Sequence, residues 1–105
     1  MLESAYETAL AYEFTQAGLS FTRQIEMPLS YKGELLTCGY RLDFVIEDLV
    51  ILELKSVAEM LPVHKAQLMT YLRLQKRSLG LLVNFNSAFL KDGIRRVVSG
   101  DLFRV

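Results

Sequence analysis

Residues 39–57 read GYRLDFVIEDLVILELKSV, and this stretch decides the fold of the chain. Two runs of strand-forming residues, 39–47 and 49–57, are separated by so little chain that they must form a hairpin. Apolar and polar residues alternate along each run, as in strands that bury one face against a core. The stretch therefore predicts two adjacent antiparallel strands in the middle of the protein.

The alternation also predicts the register of this hairpin. Placing the apolar residues of both strands on one face pairs Leu42 with Leu54, Phe44 with Leu52 and Ile46 with Val50. The same register puts Asp43 directly opposite Glu53, with their Cβ atoms about 4.5–5.5 Å apart. Arg41 then lies opposite Lys55.

Two carboxylates at this distance repel one another unless a proton, a cation or a metal ion compensates them. One interpretation is an ordinary solvated face, on which Lys55 lies diagonal to Asp43 and compensates its charge. Arg41 would do the same for Glu53. The other interpretation is a Mg²⁺ site, because Mg²⁺ commonly takes one or two carboxylates, and a nearby lysine could deprotonate water or stabilise charge on a phosphate. The hairpin alone leaves both interpretations open.

The segments on either side of the hairpin predict a single α/β domain. In chain order they are a helix over 2–17, a strand over 20–31 that closes at Lys32-Gly33, a helix after Pro62 over 63–77, a buried strand over 79–85, and a short strand or short helix over 94–98. The order α-β-β-β-α-β indicates a mixed central sheet flanked by helices, since a helical crossover lets the strand after it run parallel to the strand before it.

Three residues in the first two elements carry more specific expectations. Glu3 and Glu13 fall inside the apolar arc of the first helix, so either could be drawn toward the core. Pro28 cannot donate a backbone hydrogen bond, which predicts that its strand lies at a sheet edge or carries a bulge.

Composition narrows the class of protein. The chain has 105 residues, of which 51% are hydrophobic, and its 12 basic and 12 acidic residues balance. This excludes a disordered tail and the overall basic field typical of electrostatic nucleic-acid binders. Its single cysteine excludes an intrachain disulfide and a zinc site of several thiolates. No signal peptide and no apolar run of about 20 residues is present, so we expect a cytoplasmic protein with no membrane span.

The carboxylate pair and its neighbours carry a family resemblance. Asp43 followed by Glu53-Leu54-Lys55 looks like the PD-(D/E)xK nuclease signature, in which an Asp and an E-x-K triplet lie on adjacent strands. Six blocks that match in chain order are MLESAYE, GYRLDFVIED, VILELKSV, PVHKAQLMTYL, LGLLVNFN and LKDGIRRVV. Together they resemble the GxxExxY protein family, a branch of that superfamily. The resemblance implies a restriction-endonuclease-like fold and a nuclease that uses Mg²⁺ or Mn²⁺ on nucleic acid, DNA rather than RNA.

The resemblance also implies roles for single residues. Asp43 and Glu53 resemble the metal-binding carboxylates of the catalytic centre, and Lys55 resembles the catalytic lysine. Glu3 and Tyr6 match the E-x-x-Y part of the family's name. A glutamate on the first helix often completes the metal site in the superfamily, which makes Glu3 a third candidate ligand.

Residues of the second helix add to this set. Gln67 and Tyr71 resemble the Q-x-x-x-Y motif of one nuclease branch and are candidate catalytic residues. Being four residues apart, they share one helix face, with His64 close by. The alternative is that Tyr71 is a core residue and Gln67 fills a polar gap. Arg41, His64 and Arg73 are candidate substrate contacts, although a lone histidine is more often a surface or hydrogen-bonded residue.

A basic cluster formed by Lys91, Arg95 and Arg96 lies near the end of the chain. These side chains could bind phosphates. With acidic residues as numerous as basic ones, a merely solvated surface is the simpler interpretation.

The start of the sequence suggests a second hypothesis. The family's signature begins with a glycine just before the position of Met1, and relatives carry a further N-terminal helical segment, so the single domain at 1–105 is expected to lack that segment. Glu3 then lies in the first helical turn, where helices are least ordered. Apolar surface left uncovered would favour a homodimer. The alternative to a nuclease is thus a catalytically inactive nuclease-fold module that binds nucleic acid or protein and dimerises.

Overall fold

A computed structural model describes residues 3–87 and 89–99 of the chain, without the side chains at 29, 30, 37–40 and 90. The elements in chain order are α1 (Glu3–Gln16), β1 (Phe21–Tyr31), β2 (Glu34–Ile46), β3 (Val50–Lys55), α2 (Pro62–Leu74), β4 (Leu79–Asn84), a short 3₁₀ helix (Leu90–Gly93) and β5 (Ile94–Val98). This order confirms the predicted single α/β domain, and the segment at 94–98 is a strand. Neither helix has the length and apolar character that a membrane crossing requires within the described residues.

The five strands form one mixed sheet in the order β1-β2-β3-β4-β5. Strands β3 and β4 are parallel because α2 connects them, and all other neighbours are antiparallel. Pro28 lies on the edge strand β1, where the register shifts between Glu26 and Pro28, so the expectations of an edge and an irregularity are both confirmed. The β1–β2 turn is tight because Lys32 and Gly33 both adopt positive φ angles, of 50° and 79°.

Each face of the sheet carries its own hydrophobic cluster. The α1-side cluster is built on the buried residues Ala11, Phe44, Leu52, Leu54 and Val83. The α2-side cluster contains Met27, Leu42, Val45, Ile51, Leu68, Tyr71, Leu72, Leu82 and Val97. Within the first cluster, Phe14 and Phe21 meet the fully buried ring of Phe44 edge-on, with centroids 5.2 and 5.8 Å away. The sheet is therefore fixed between two helices by burial on both faces.

The β2–β3 hairpin follows the predicted register only near its turn. Phe44 pairs with Leu52, and Ile46 pairs with Val50, as expected. The continuation to Leu42 is wrong, because Leu42 packs in the α2-side cluster while Phe44 packs in the α1-side cluster. Residues two apart on a regular strand share a face, so the alternation is interrupted at Asp43.

Candidate active site

The interruption in β2 places two buried carboxylates between β2 and β3. The side chain of Asp43 accepts a hydrogen bond at Oδ2 from the backbone N–H of Leu54, at 2.7 Å. The backbone N–H of Asp43 in turn donates to Glu53 Oε1, at 3.1 Å. Each carboxylate thus bonds to the backbone of the other strand where regular ladder pairing has ended. The two carboxylates are close together, as predicted. They lie just beyond the point where the regular β2–β3 pairing ends, however, and not within it.

Burial decides between the two interpretations of the pair. Asp43 is 9% exposed and Glu53 is 6% exposed. The ordinary solvated face is therefore wrong. Arg41 also fails to compensate Glu53 as that interpretation required, because it is exposed on β2 and forms an ion pair with Glu26 of β1, at 3.7 Å.

The electrostatics of the pair follow from this burial. Loss of water raises the pKa of Glu53 to about 8, and the nearby charge of Asp43 acts in the same direction. Burial also raises the pKa of Asp43, against the lowering effect of the Leu54 N–H that it accepts. Lys55 acts on both carboxyls in the opposite sense and lowers their pKa values. Burial therefore favours the neutral forms of both carboxyls, whereas the charge of Lys55 favours their ionised forms.

Lys55 lies on the same side of β3 as Glu53. Ile51 packs in the α2-side cluster, and side chains alternate along a strand, so Glu53 and Lys55 face the α2 side as well. One residue, Leu54, separates Glu53 from Lys55 along the strand. The E-x-K spacing therefore places a carboxyl group and an amine next to each other on one face of the strand.

The carboxylate that α1 buries is Glu7, which the sequence analysis did not select. Arg23 donates to Glu7 Oε2 from Nε at 3.1 Å and from Nη2 at 2.7 Å, and Gln24 Nε2 donates to Glu7 Oε1. The same Gln24 nitrogen lies 3.5 Å from Asp43 Oδ1. Glu7 is 7% exposed. A chain of polar contacts therefore runs from α1 through β1 to the carboxylate pair.

The expectation that Glu3 or Glu13 turns toward the core is wrong, because both are exposed. Glu3 nevertheless raises the pKa of Asp43 and of Glu53 through its charge. The four-residue spacing of Glu3, Glu7 and Ala11 places them on one stripe of the helix, and this signal could have identified Glu7.

The candidates on α2 occupy different environments. Tyr71 is buried in the α2-side cluster, whereas Gln67, one turn earlier, is half-buried. His64 Nδ1 accepts a hydrogen bond from the backbone N–H of Leu61, at 2.9 Å, and so caps the start of the helix. Arg73 is exposed in the last turn. The structure thus gives His64 a capping bond and leaves Gln67 and Arg73 as the α2 candidates that are neither core nor cap.

A second residue missed by the sequence analysis is Asn84, at the end of β4. Its side chain is buried and binds the chain that follows Lys55: Oδ1 accepts from the N–H of Val57 at 3.1 Å, and Nδ2 donates to the Val57 carbonyl at 2.8 Å. Oδ1 also accepts from the N–H of Asn86, at 3.2 Å. Asn84 pairs with Lys55 in the β3–β4 register. It therefore fixes the backbone on which Lys55 is carried.

Replacing this amide is expected to destabilise the protein. Asn84→Ala leaves the N–H of Val57 without its partner and removes the shorter of two hydrogen bonds to the Val57 carbonyl, at a cost of about 2 kcal/mol in the free energy of unfolding. Asn86→Ala is the matched control, because Asn86 is exposed and donates only a 3.3 Å bond to the same carbonyl. Urea unfolding measures the difference. Equal destabilisation by the two substitutions would contradict the role given to Asn84.

The oxygens of the carboxylate pair suit a divalent cation. Asp43 Oδ1 and the second oxygen of Glu53 remain after the two backbone hydrogen bonds. Carboxylate oxygens are the ligands that Mg²⁺ and Mn²⁺ prefer, and Mg²⁺ commonly takes only one or two of them from a protein. Within residues 3–87 and 89–99, no three His, Cys, Asp or Glu side chains converge as a ready metal site. The donor set fits a cation that keeps much of its water shell.

Comparison with known proteins places this geometry in a family. Neither the curated proteins nor the solved structures gave a match to the chain. A family model described as the PD-(D/E)XK nuclease superfamily matches residues 1–97, which include Asp43, Glu53 and Lys55. The mixed five-strand sheet with its flanking helices is consistent with the restriction-endonuclease-like fold. The chain belongs to the PD-(D/E)XK nuclease superfamily.

Proposed function

We propose that this protein is a divalent-metal-dependent nuclease that hydrolyses phosphodiester bonds. The observation that carries the proposal is the buried pair of Asp43 and Glu53 with Lys55 two residues further along the same strand. Superfamily membership supports it. An ordinary surface ion pair does not require its acids to be withdrawn from water, whereas both acids here are buried.

Each group has a chemical task in this proposal. Asp43 and Glu53 would hold Mg²⁺ or Mn²⁺, which supplies Lewis-acid chemistry and neutralises charge on the reacting phosphate when bound. Lys55 has a half-buried side chain on the same face of β3 as Glu53, where it can orient the attacking water or stabilise charge on the phosphate. Glu7, held by Arg23, keeps the amide of Gln24 beside Asp43. Glu3 is a further candidate ligand from the first turn of α1.

The finer parts of the proposal rest on the sequence. The six matching blocks support placement in the GxxExxY branch. We also propose DNA rather than RNA as the substrate and the cytoplasm as the location. A homodimer is proposed from exposed apolar residues at the β1–β2 turn, where Tyr31 is 57% exposed and Leu35 is 75% exposed. Arg41, His64 and Arg73 remain candidate substrate contacts, and Gln67 and Tyr71 remain candidate catalytic residues.

Calorimetric titration of Mn²⁺ tests the metal site without a choice of substrate. Wild-type protein is expected to bind Mn²⁺, and Asp43→Asn is expected to weaken binding by at least about tenfold because one of two charged ligands is lost. Asn retains an oxygen that can accept the Leu54 N–H, so the fold is kept. Asp48→Asn is the control, since Asp48 lies in the β2–β3 turn and pairs with Arg77.

Two results would count against the proposal. If neither the wild-type protein nor the variants bind Mn²⁺, the alternative of an inactive nuclease-fold module gains support. If Asp43→Asn and Asp48→Asn reduce binding equally, the cation is attracted by surface charge and the carboxylate pair is not its site.

A further inference from the structure

A concave surface of about 230 Å³ lies between the start of α2 and strand β5. Its polar lining consists of three cations, Lys65 from α2 and Arg95 and Arg96 from β5. Its apolar floor includes Met60, Pro62 and the buried Leu82. We call this surface the cationic cavity. Neither Asp43 nor Glu53 lines it, so it is separate from the carboxylate pair.

Charge in this cavity is locally unbalanced. The chain as a whole carries 12 basic and 12 acidic residues, yet among the described residues no acidic side chain lines this surface. Lys65 and Arg96 form no ion pair within the part of the chain that the structure describes. The guanidinium of Arg95 is held by two backbone carbonyls, those of Asp92 at 2.8 Å and Ile94 at 3.1 Å. These bonds fix its position without neutralising its charge.

The helix adds to the same potential. Because α2 begins at Pro62, which lines the cavity, the positive end of its dipole lies beside the three cations. Three cations and a helix start around an apolar floor favour a ligand with both an anionic group and an apolar surface. A sugar-phosphate chain has both: the phosphate suits the cations, and the sugar or a base face suits the floor.

The cavity lies at the same end of the sheet as the candidate catalytic lysine. A neighbouring cavity of about 280 Å³ shares Met60 and Arg95 with it and reaches Asn84, which pairs in register with Lys55. That neighbour also contains Glu59 and Asp92. The negative charges of Glu59 and Asp92 disfavour an anion in the neighbouring cavity. An anion is therefore expected at the end of the cationic cavity formed by Lys65 and Arg96.

We propose that the cationic cavity binds a backbone phosphate of a nucleic-acid strand whose reacting phosphate lies at the carboxylate pair. The inference rests on the proposed nuclease function for the second half of this statement. Binding at the cavity itself requires no metal, and this separates the two ideas experimentally.

The test is binding of a fluorescently labelled single-stranded oligonucleotide in EDTA, followed by anisotropy at several salt concentrations. Lys65→Glu/Arg96→Glu is expected to weaken binding at least about tenfold and to reduce the slope of log K against log salt by about one, because one phosphate contact is lost. Lys32→Glu/Lys76→Glu is the matched control, with the same change in net charge. Lys32 lies in the β1–β2 turn and Lys76 follows the opposite end of α2. Lys65→Gln/Arg96→Gln serves if charge reversal disturbs folding.

Equal loss of affinity in the two double variants would overturn the inference, because only net charge would then matter. Polyglutamate that competes as well as unlabelled oligonucleotide would overturn the assignment of the ligand as nucleic acid. If the cavity variants bind normally while Asp43→Asn abolishes cleavage, the inference fails and the nuclease function stands. If the cavity variants lose binding but wild-type protein cleaves nothing with Mn²⁺, the phosphate site stands and the nuclease function fails.

Discussion

Wild-type protein supplied with Mg²⁺ or Mn²⁺ is expected to cleave nucleic acid, and Lys55→Met is expected to slow cleavage at least about a hundredfold. The substitution keeps the length of the side chain and removes the positive charge that lowers the pKa of both buried carboxyls. Asp43→Asn is expected to lose as much or more, because it removes a proposed metal ligand. The measurement is the initial rate of cleavage on a panel of single- and double-stranded DNA and RNA substrates.

Lys76→Met is the control for this experiment. Lys76 is exposed beyond the end of α2, so it tests whether loss of any lysine lowers the rate. Thermal unfolding of each variant excludes loss of the fold as the cause. A Lys55→Met protein that is folded and cleaves like the wild type would contradict the assignment of Lys55. Cleavage that persists in EDTA would contradict metal dependence.

The fold was predictable because its deciding patterns are local. The two strands predicted in 39–57 and the crossover helix predicted over 63–77 are present in the structure as β2, β3 and α2. The face of Leu42 was not predictable in this way. A pattern of alternating residues assumes a regular strand. In the structure the alternation of side chains is interrupted at Asp43, so Leu42 and Phe44 pack on opposite faces of the sheet.

The candidate site was predictable where its residues share one strand and less so where they come from several elements. Spacing within β3 places Glu53 and Lys55 on the same face without further information. Glu7 and Asn84 were missed because their roles depend on partners 16 to 27 residues away in sequence: Arg23 and Gln24 for Glu7, and Val57 for Asn84. No local pattern reveals such partners before the sheet is assembled.

Without metal, the protein is expected to become less stable as pH rises, because Glu53 is buried beside Asp43. Glu53 has an ordinary pKa of 4.5 and a pKa of about 8 in the folded protein. Below pH 4.5 both states are protonated, whereas between these values the folded state keeps a proton that the unfolded state has lost. The free energy of unfolding therefore falls as pH rises through this window and levels off above it. The expected loss between pH 4.5 and pH 8 is roughly 3–5 kcal/mol.

Glu53→Gln is expected to remove most of this loss. Glutamine stays neutral at every pH in the window, and its side-chain oxygen can still accept the N–H of Asp43. Urea unfolding should show the variant about 3–5 kcal/mol more stable than wild type at pH 8 and nearly equal at pH 4.5. Glu13→Gln, at an exposed position of α1, is the matched control.

Addition of Mn²⁺ at pH 8 separates a functional cause of this instability from a merely structural one. A cation held by both carboxylates favours the ionised form of Glu53, so the stability of the wild type should rise with the logarithm of the Mn²⁺ concentration. Glu53→Gln lacks the charge and should gain little. If the pH profiles of wild type and Glu53→Gln run parallel, Glu53 is not the titrating group. If Mn²⁺ stabilises both proteins equally, the cation binds elsewhere. Two buried carboxyl groups side by side lower the free energy of unfolding when no ligand is bound. A protein is expected to keep such a pair where a ligand of opposite charge completes the site.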